Sequence, residues 1–167
     1  MVLTTRGFAG LVVIASAAVI GAALLSQYWG GLAPCELCLL QRWPWWGAIA
    51  IAAFVWIASD RVRLPPAALI LFAVFLVSAG LAFYHVGVEQ HWFQGPTACT
   101  GGGGAATLEA LKAQLLNRQP VNCDEPAWKL FGIVSLAGLN FLASVLLALF
   151  CIAGLRRVLA APQEAAA

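Results

Sequence analysis

The residues with the clearest chemical potential are Cys35-Glu36-Leu37-Cys38, which form a C-x-x-C motif. Cysteines at this spacing commonly have a lowered pKa, and the thiolate is the form that exchanges disulfides. A zinc site would need two more ligands at compatible spacing, and the other external cysteines, Cys99 and Cys123, are 24 residues apart. A structural disulfide is a further alternative, but so small a loop constrains the unfolded chain little. The motif therefore favours a redox-active pair.

A cation lies close to this motif, because Arg42 follows Cys38 by four positions. If a helix begins near Leu39, one turn brings the guanidinium to the side of the sulfur. There it would favour the thiolate and could stabilise negative charge on a reduced acceptor. The alternative is an arginine that snorkels to a membrane interface. Spacing alone does not decide between these two interpretations.

The composition places these residues in a membrane protein. Of the 167 residues, 62% are hydrophobic and only 10% are charged, whereas soluble domains have about 25% charged residues. A water-soluble globule and a disordered chain are both excluded. The net charge of +2 is too small to indicate nucleic acid as a partner. We predict an all-α membrane protein, since open strands cannot satisfy their backbone in lipid.

Four segments are long and apolar enough to cross a bilayer, which takes about 17–25 residues. They are Gly7–Leu25, Trp43–Ser59, Pro66–Val86 and Leu130–Leu155. The first is expected to be a retained span, because its apolar run exceeds the roughly 7–15 residues of a cleaved signal peptide. We predict one domain over residues 1–167, a four-transmembrane-helix bundle with external loops at 26–42 and 87–129.

The distribution of basic residues predicts the orientation. Five lie on the side of the termini and the 60–65 turn, namely Arg6, Arg61, Arg63, Arg156 and Arg157. The other four basic residues are spread over the two longer loops. The positive-inside rule therefore puts both termini in the cytoplasm and both longer loops outside. These loops contain Cys35, Cys38, Cys99 and Cys123, an even number that suits an oxidising compartment.

The second external loop has two further features. Gly101–Gly104 follow Cys99 and predict a hinge, because a phosphate-binding loop would need a Lys-Ser/Thr pair that is missing. Leucines then recur at helical spacing between Leu108 and Leu116. They predict a short amphipathic helix on the membrane surface, or one that covers the ends of the spanning helices.

Electrons that enter external thiols must leave through an acceptor. The sequence has no flavin or nicotinamide fingerprint and no C-x-x-C-H motif for haem, and its only histidines are His85 and His91. A lipid-soluble acceptor would need no binding domain of its own. Quinone is therefore the simplest candidate, and no metal, flavin or haem is expected.

Several motifs together resemble those of the disulfide bond formation protein B (DsbB) family of bacterial inner membranes. The similarity covers roughly residues 7–155. The matching motifs are Pro34-Cys35-x-x-Cys38 with Gln41-Arg42, Tyr84-His85, Gly95-Pro96-x-x-Cys99, and Cys123-x-x-Pro126-x-Trp128 before the last span. The resemblance implies a multi-pass protein of the inner membrane with its cysteine loops in the periplasm.

The resemblance also implies an electron relay. A periplasmic thiol oxidase of the DsbA type would attack Cys99 of a Cys99–Cys123 disulfide, and Cys123 would then attack Cys35. Cys38 would be left as the thiolate that faces ubiquinone or menaquinone, beside Arg42. His85 matches a family position near the quinone, although the sequence by itself favours a capping or interfacial histidine. Cys151, within the last span, is expected to be a small hydrophobe without a redox role.

Two other functions compete with this relay. One is a structural four-span protein whose disulfides staple its external loops, but such a staple needs neither Arg42 nor the glycine hinge. The other is a reductase related to vitamin K epoxide reductases. Those proteins generally carry their C-x-x-C motif at the start of the last span, whereas here it precedes the second.

The arginine distribution gives a prediction about topology. A reporter that is active only outside the cytoplasm should stay silent when fused after Ala167 and be active when fused after Gly102. Measuring reporter activity for both fusions checks the orientation. The opposite pattern would contradict it.

Overall fold

The structure is a computed structural model that describes residues 4–96 and 122–160. Its described part is mostly helical. The helices are α1 (Thr5–Tyr28), α2 (Glu36–Leu40), α3 (Arg42–Ile57), α4 (Leu64–Glu89) and α5 (Leu136–Ala160), and the strands are β1 (Lys129–Leu130) and β2 (Val134–Ser135). Cys99, the glycine hinge and the predicted amphipathic helix lie outside the described residues.

Three helices of the described part, α1, α4 and α5, are long and apolar enough to cross a membrane. The prediction had four spans, and the remaining one corresponds to α3. That helix has 16 residues, which at 1.5 Å per residue gives about 24 Å against a hydrocarbon core of about 30 Å. α3 begins one residue before the predicted segment and ends at Ile57, two residues before the predicted end. The fourth span stays a prediction.

Local signals explain where α1 and α4 begin. The side chain of Thr4 accepts a hydrogen bond from the backbone N–H of Gly7 at 3.1 Å and caps α1. Two prolines open α4, where the missing N–H groups have no helical partner to lose. Both helices extend a few residues beyond the predicted segments at each end.

The predicted start of the last helix, Leu130, is wrong, because residues 129–135 form a small β-hairpin. β1 pairs antiparallel with β2, Lys129 opposite Ser135. The turn contains Phe131 and Gly132 with φ of 51° and 73°, a left-handed conformation that a right-handed helix cannot contain. α5 begins only after Ser135, whose Oγ accepts from the Gly138 N–H at 3.1 Å, as an N-cap does.

The helices pack in pairs around one main apolar core. The most extensive helix contacts are between α4 and α5. Those between α1 and α3 come next, followed by those between α3 and α4. Phe8 of α1 stacks on Phe150 of α5 with ring centroids 5.1 Å apart. Ser78 and Ser144 share a buried hydrogen bond of 2.8 Å between α4 and α5. Interhelical contacts of this kind fix the register of helices that lipid alone would not hold together.

The chain after α4 folds back onto the last turn of that helix. Phe93 packs over Gly87 and stacks on Tyr84, with ring centroids 5.9 Å apart. The Tyr84 hydroxyl also donates to the carbonyl of Gln94 at 2.9 Å. A Cβ atom at position 87 would overlap the Phe93 ring. Gly87 is therefore required for the close approach of this segment.

Replacing Gly87 tests that packing. Gly87→Ala should displace Phe93 and destabilise the protein by about 1–3 kcal/mol, the usual penalty of overpacking. Thermal unfolding in detergent should show a lower Tm. Gly80→Ala in the same helix is the matched control, because no atom lies within 4 Å of its added Cβ. A Tm unchanged by Gly87→Ala would contradict the close approach.

Candidate redox site

The short helix α2 holds the two thiols of the C-x-x-C motif together. Cys35 is the N-cap of α2, and its Sγ accepts the backbone N–H of Cys38 at 3.2 Å. Cys35 is buried, whereas Cys38 is only partly buried, and both are free thiols. The motif is therefore wound as one helical turn that leaves its second sulfur the more accessible.

The pKa values of the two thiols are shifted in opposite directions. A hydrogen bond from the Cys35 thiol lowers the pKa of Cys38 despite its burial, and the positive charge of Arg42 adds to this effect. The same hydrogen bond, followed by burial, raises the pKa of Cys35. Cys38 is therefore the more acidic thiol of the pair, the one that more readily becomes a thiolate.

Arg42 opens α3, one turn beyond Cys38. Its guanidinium donates to Gln27 Oε1 of α1 at 2.7 Å. Gln27 thus holds the Arg42 guanidinium at the junction of α1 and α3. From there the positive charge of Arg42 lowers the pKa of Cys38. Sequence reasoning missed Gln27, because no pattern in the sequence connects it with Arg42.

His85 lies on α4 beside the motif and is buried. Its Nε2 is 3.6 Å from Cys35 Sγ, and its Nδ1 is 2.6 Å from Gln41 Nε2. Histidine thus meets the buried sulfur of the pair rather than the interface. The donor atoms of Cys35, Cys38 and His85 all lie within 4.8 Å of one another, so the structure supplies the third candidate metal ligand that spacing did not reveal.

Other polar residues at the site were also missed in the sequence. Asn140 of α5 donates its amide to Gln41 Oε1, and Trp45 Nε1 donates to Asn140 Oδ1 at 2.7 Å. Glu89 of α4 lies 3.9 Å from His85 Nε2. An asparagine inside a membrane span is itself a signal, since polar side chains are costly in that position.

These residues line a cavity of about 320 Å³ between the helices. Aliphatic side chains of α1 and α5 form much of its wall, and Cys38, Arg42 and His85 are among its polar lining residues. Ligand sites commonly have volumes of about 300–1,000 Å³ and combine apolar walls with a few polar groups. The cavity therefore has the size and lining of a site for a small apolar molecule.

Cys123 lies against the same site. It is disulfide-bonded and buried, and it shares an apolar cluster with Cys35, Leu37 and Val88. Its backbone also makes a hydrogen bond with the His85 ring. Cys151, by contrast, is buried in the main core of the bundle.

The chain matches the family model described as Disulfide bond formation protein DsbB over residues 5–154. The chain belongs to the DsbB family. Searches of curated proteins and of solved structures each found no match. The family resemblance predicted from the motifs is thus confirmed, and the DsbB family is one of helical membrane proteins that act as oxidoreductases in disulfide bond formation.

The acidity difference within this DsbB-family motif gives a prediction about alkylation. In the reduced protein at pH 7, iodoacetamide should modify Cys38 at least ~10-fold faster than Cys35, because one pKa unit changes the thiolate population about tenfold. Tandem mass spectrometry of the 7–42 tryptic peptide locates the label. The Cys38 rate should reach its plateau at a lower pH than that of an ordinary thiol.

Arg42→Gln should move this pH profile to higher pH, since it removes a charge that favours the thiolate. Arg61→Gln, in the turn between α3 and α4, is the matched control and should leave the profile unchanged. Equal labelling of Cys35 and Cys38 would contradict the assignment of the thiolate.

Proposed function

We propose that this protein reoxidises a periplasmic thiol oxidase of the DsbA type and passes the electrons through two cysteine pairs to a membrane quinone. The observation that carries the proposal is that Cys38, whose pKa is lowered by a hydrogen bond from Cys35 and by the charge of Arg42, lines the same cavity as Arg42. A thiolate beside a cation, within apolar walls, suits two-electron donation to a flat molecule that carries carbonyl oxygens.

The residues of the cavity fit a quinone head group. When bound, a quinone accepts two electrons and two protons. Cys38 would face its ring and Arg42 would hold an oxygen atom, with His85 in the wall of the site, while aliphatic side chains of α1 and α5 exclude water. The acceptor is ubiquinone or menaquinone, and both share this chemistry.

The burial of Cys123 beside Cys35 supports transfer between the two cysteine pairs. In the proposed step, the Cys123 thiolate attacks Cys35 Sγ of an oxidised Cys35–Cys38 pair. A Cys123–Cys35 bond forms, the Cys35–Cys38 bond breaks, and Cys38 leaves as the thiolate. Exchange is faster when the leaving thiol has a low pKa, so the lowered pKa of Cys38 favours this direction.

The partner thiol oxidase would react at Cys99, the other cysteine of the second external loop. Enzymes of the DsbA type have reduction potentials of about −120 mV, so only a strongly oxidising acceptor can reoxidise them. A quinone reached from the bilayer meets that requirement. The proposal therefore includes a soluble protein partner on the outside and a lipid-soluble acceptor within the membrane.

We further propose that α3 is the fourth span, in an inner membrane with both termini in the cytoplasm. α2 and α3 follow one another from Glu36 to Ile57 with only Gln41 between them. Trp43 and Trp46 are exposed at the start of α3, where tryptophans anchor at a membrane interface. This arrangement leaves the C-x-x-C motif at the outer surface.

A coupled assay tests the proposed function. The purified protein is mixed with a reduced DsbA-type partner and a short-chain ubiquinone, and quinone reduction is followed by ultraviolet absorbance. Cys38→Ser should abolish the reaction. Arg42→Gln should lower kcat/KM for quinone by about 10–150-fold. This factor corresponds to the loss of a hydrogen bond to a charged group, about 1.5–3 kcal/mol.

Cys151→Ala is the matched control, because it removes a thiol of the core and should leave the rate nearly unchanged. A folded wild-type protein that consumes no quinone would contradict the proposal, as would a Cys38→Ser variant with wild-type activity.

A further inference from the structure

A chain of hydrogen bonds runs from α3 through α5 to His85. The indole nitrogen of Trp45 is a donor only, and it donates to Asn140 Oδ1 at 2.7 Å. The Asn140 amide nitrogen is therefore directed at Gln41 and donates to its Oε1. With its oxygen engaged, Gln41 presents its nitrogen to His85 Nδ1 at 2.6 Å. Every donor in the chain points toward His85.

The direction of the chain determines the tautomer of His85. A neutral imidazole has one donor and one acceptor nitrogen. Because Nδ1 accepts from Gln41, the proton must lie on Nε2, and Nε2 faces Cys35 Sγ at 3.6 Å. Two further acceptors meet the ring, since Glu89 Oε1 lies 3.9 Å from Nε2 and the Cys123 backbone hydrogen-bonds to the ring. The Glu89 carboxylate near Nε2 suits a protonated Nε2.

The opposite orientation of these hydrogen bonds, with every donor pointing away from His85, is prevented by Trp45. Turning the Gln41 amide would set its nitrogen against the nitrogen of Asn140, so Asn140 would have to turn as well. The turned Asn140 would then direct its nitrogen at the Trp45 indole, which has no in-plane lone pair to accept a proton. Buried donors left without acceptors cost about 1–3 kcal/mol each.

We propose that Trp45, acting through Asn140 and Gln41, is a positioning residue that holds His85 in the Nε2–H tautomer. His85 is then a hydrogen-bond donor to Cys35, and its Nε2 lone pair is not available as a base or as a metal ligand. The Cys35 thiol has no acceptor in His85 and directs its proton to Cys38.

The same tautomer protects the reduced site from metal capture. Cys35, Cys38 and His85 are a ligand set that zinc favours. A histidine that binds zinc through Nε2 usually donates its Nδ1–H to an acceptor. Here Nδ1 meets the amide nitrogen of Gln41, which is a donor. The inference concerns the site on which the proposed function rests, but it depends on neither the quinone nor the protein partner.

Nitrogen NMR of the reduced full-length protein tests the tautomer directly. The chain has only two histidines, so His91→Gln assigns the signals of ¹⁵N-histidine. In the wild type, His85 should show a protonated Nε2 and an unprotonated Nδ1. Trp45→Phe should give a mixture of tautomers, and Gln41→Glu, which offers an acceptor, should move the proton to Nδ1. A wild-type Nδ1–H tautomer would overturn the proposal.

Zinc affinity is the second measurement, made in a Cys99→Ser/Cys123→Ser background so that no thiol of the second external loop competes for the metal. Gln41→Glu and Trp45→Phe should bind Zn²⁺ about 10–100-fold more tightly than the unmodified background. Trp46→Phe is the matched control, because Trp46 is exposed and outside the chain of hydrogen bonds. If Trp45→Phe does not fold, the tautomer is still tested by the wild-type spectrum and by the Gln41→Glu variant. Equal zinc affinity in all folded variants would overturn the proposal.

Discussion

The hydrogen bond between Gln41 and His85 is the contact on which the site depends. It joins the junction of α2 and α3 to α4, so the C-x-x-C motif is held against the helix that carries the histidine. Both side chains are buried, and buried polar groups must find partners. Asn140 supplies the remaining partner from α5. Two hydrogen bonds of one side chain, Gln41, thus connect α3, α4 and α5, whose other contacts are mainly apolar.

Within an apolar bundle, small differences in the surroundings of two thiols produce large differences between their pKa values. The two sulfurs of the motif are close neighbours, yet one is buried against α4 and the other lies nearer to Arg42. A hydrogen bond between them then raises the pKa of Cys35 and lowers that of Cys38. In water such effects would be weakened by solvent, whereas a low dielectric strengthens them. The asymmetry of the pair follows from its position at the end of the bundle.

Hydropathy predicted the helical regions, and the C-x-x-C spacing predicted a pair of neighbouring thiols, because both signals are local in the sequence. The hairpin at 129–135 was missed, since the left-handed backbone of Phe131 leaves no mark on an apolar run. The partners Gln41 and His85 are 44 residues apart, and Asn140 is 99 residues from Gln41. Such pairs exist only once the helices pack, so no spacing rule could identify them. Cys99 and the amphipathic segment lie outside the described residues and stay predictions.

The cavity is walled by side chains of α1 and α5, including Val19 and Ala143, at levels inside their apolar spans. These two helices contact each other at few positions. A molecule that entered the cavity between them would come out of the lipid and not out of the aqueous phase. Its effective concentration is then a mole fraction in the bilayer, set by partitioning. For the proposed acceptor, the length of the hydrophobic tail would govern occupancy as strongly as the fit of the head group, and water-soluble oxidants would compete poorly whatever their potential.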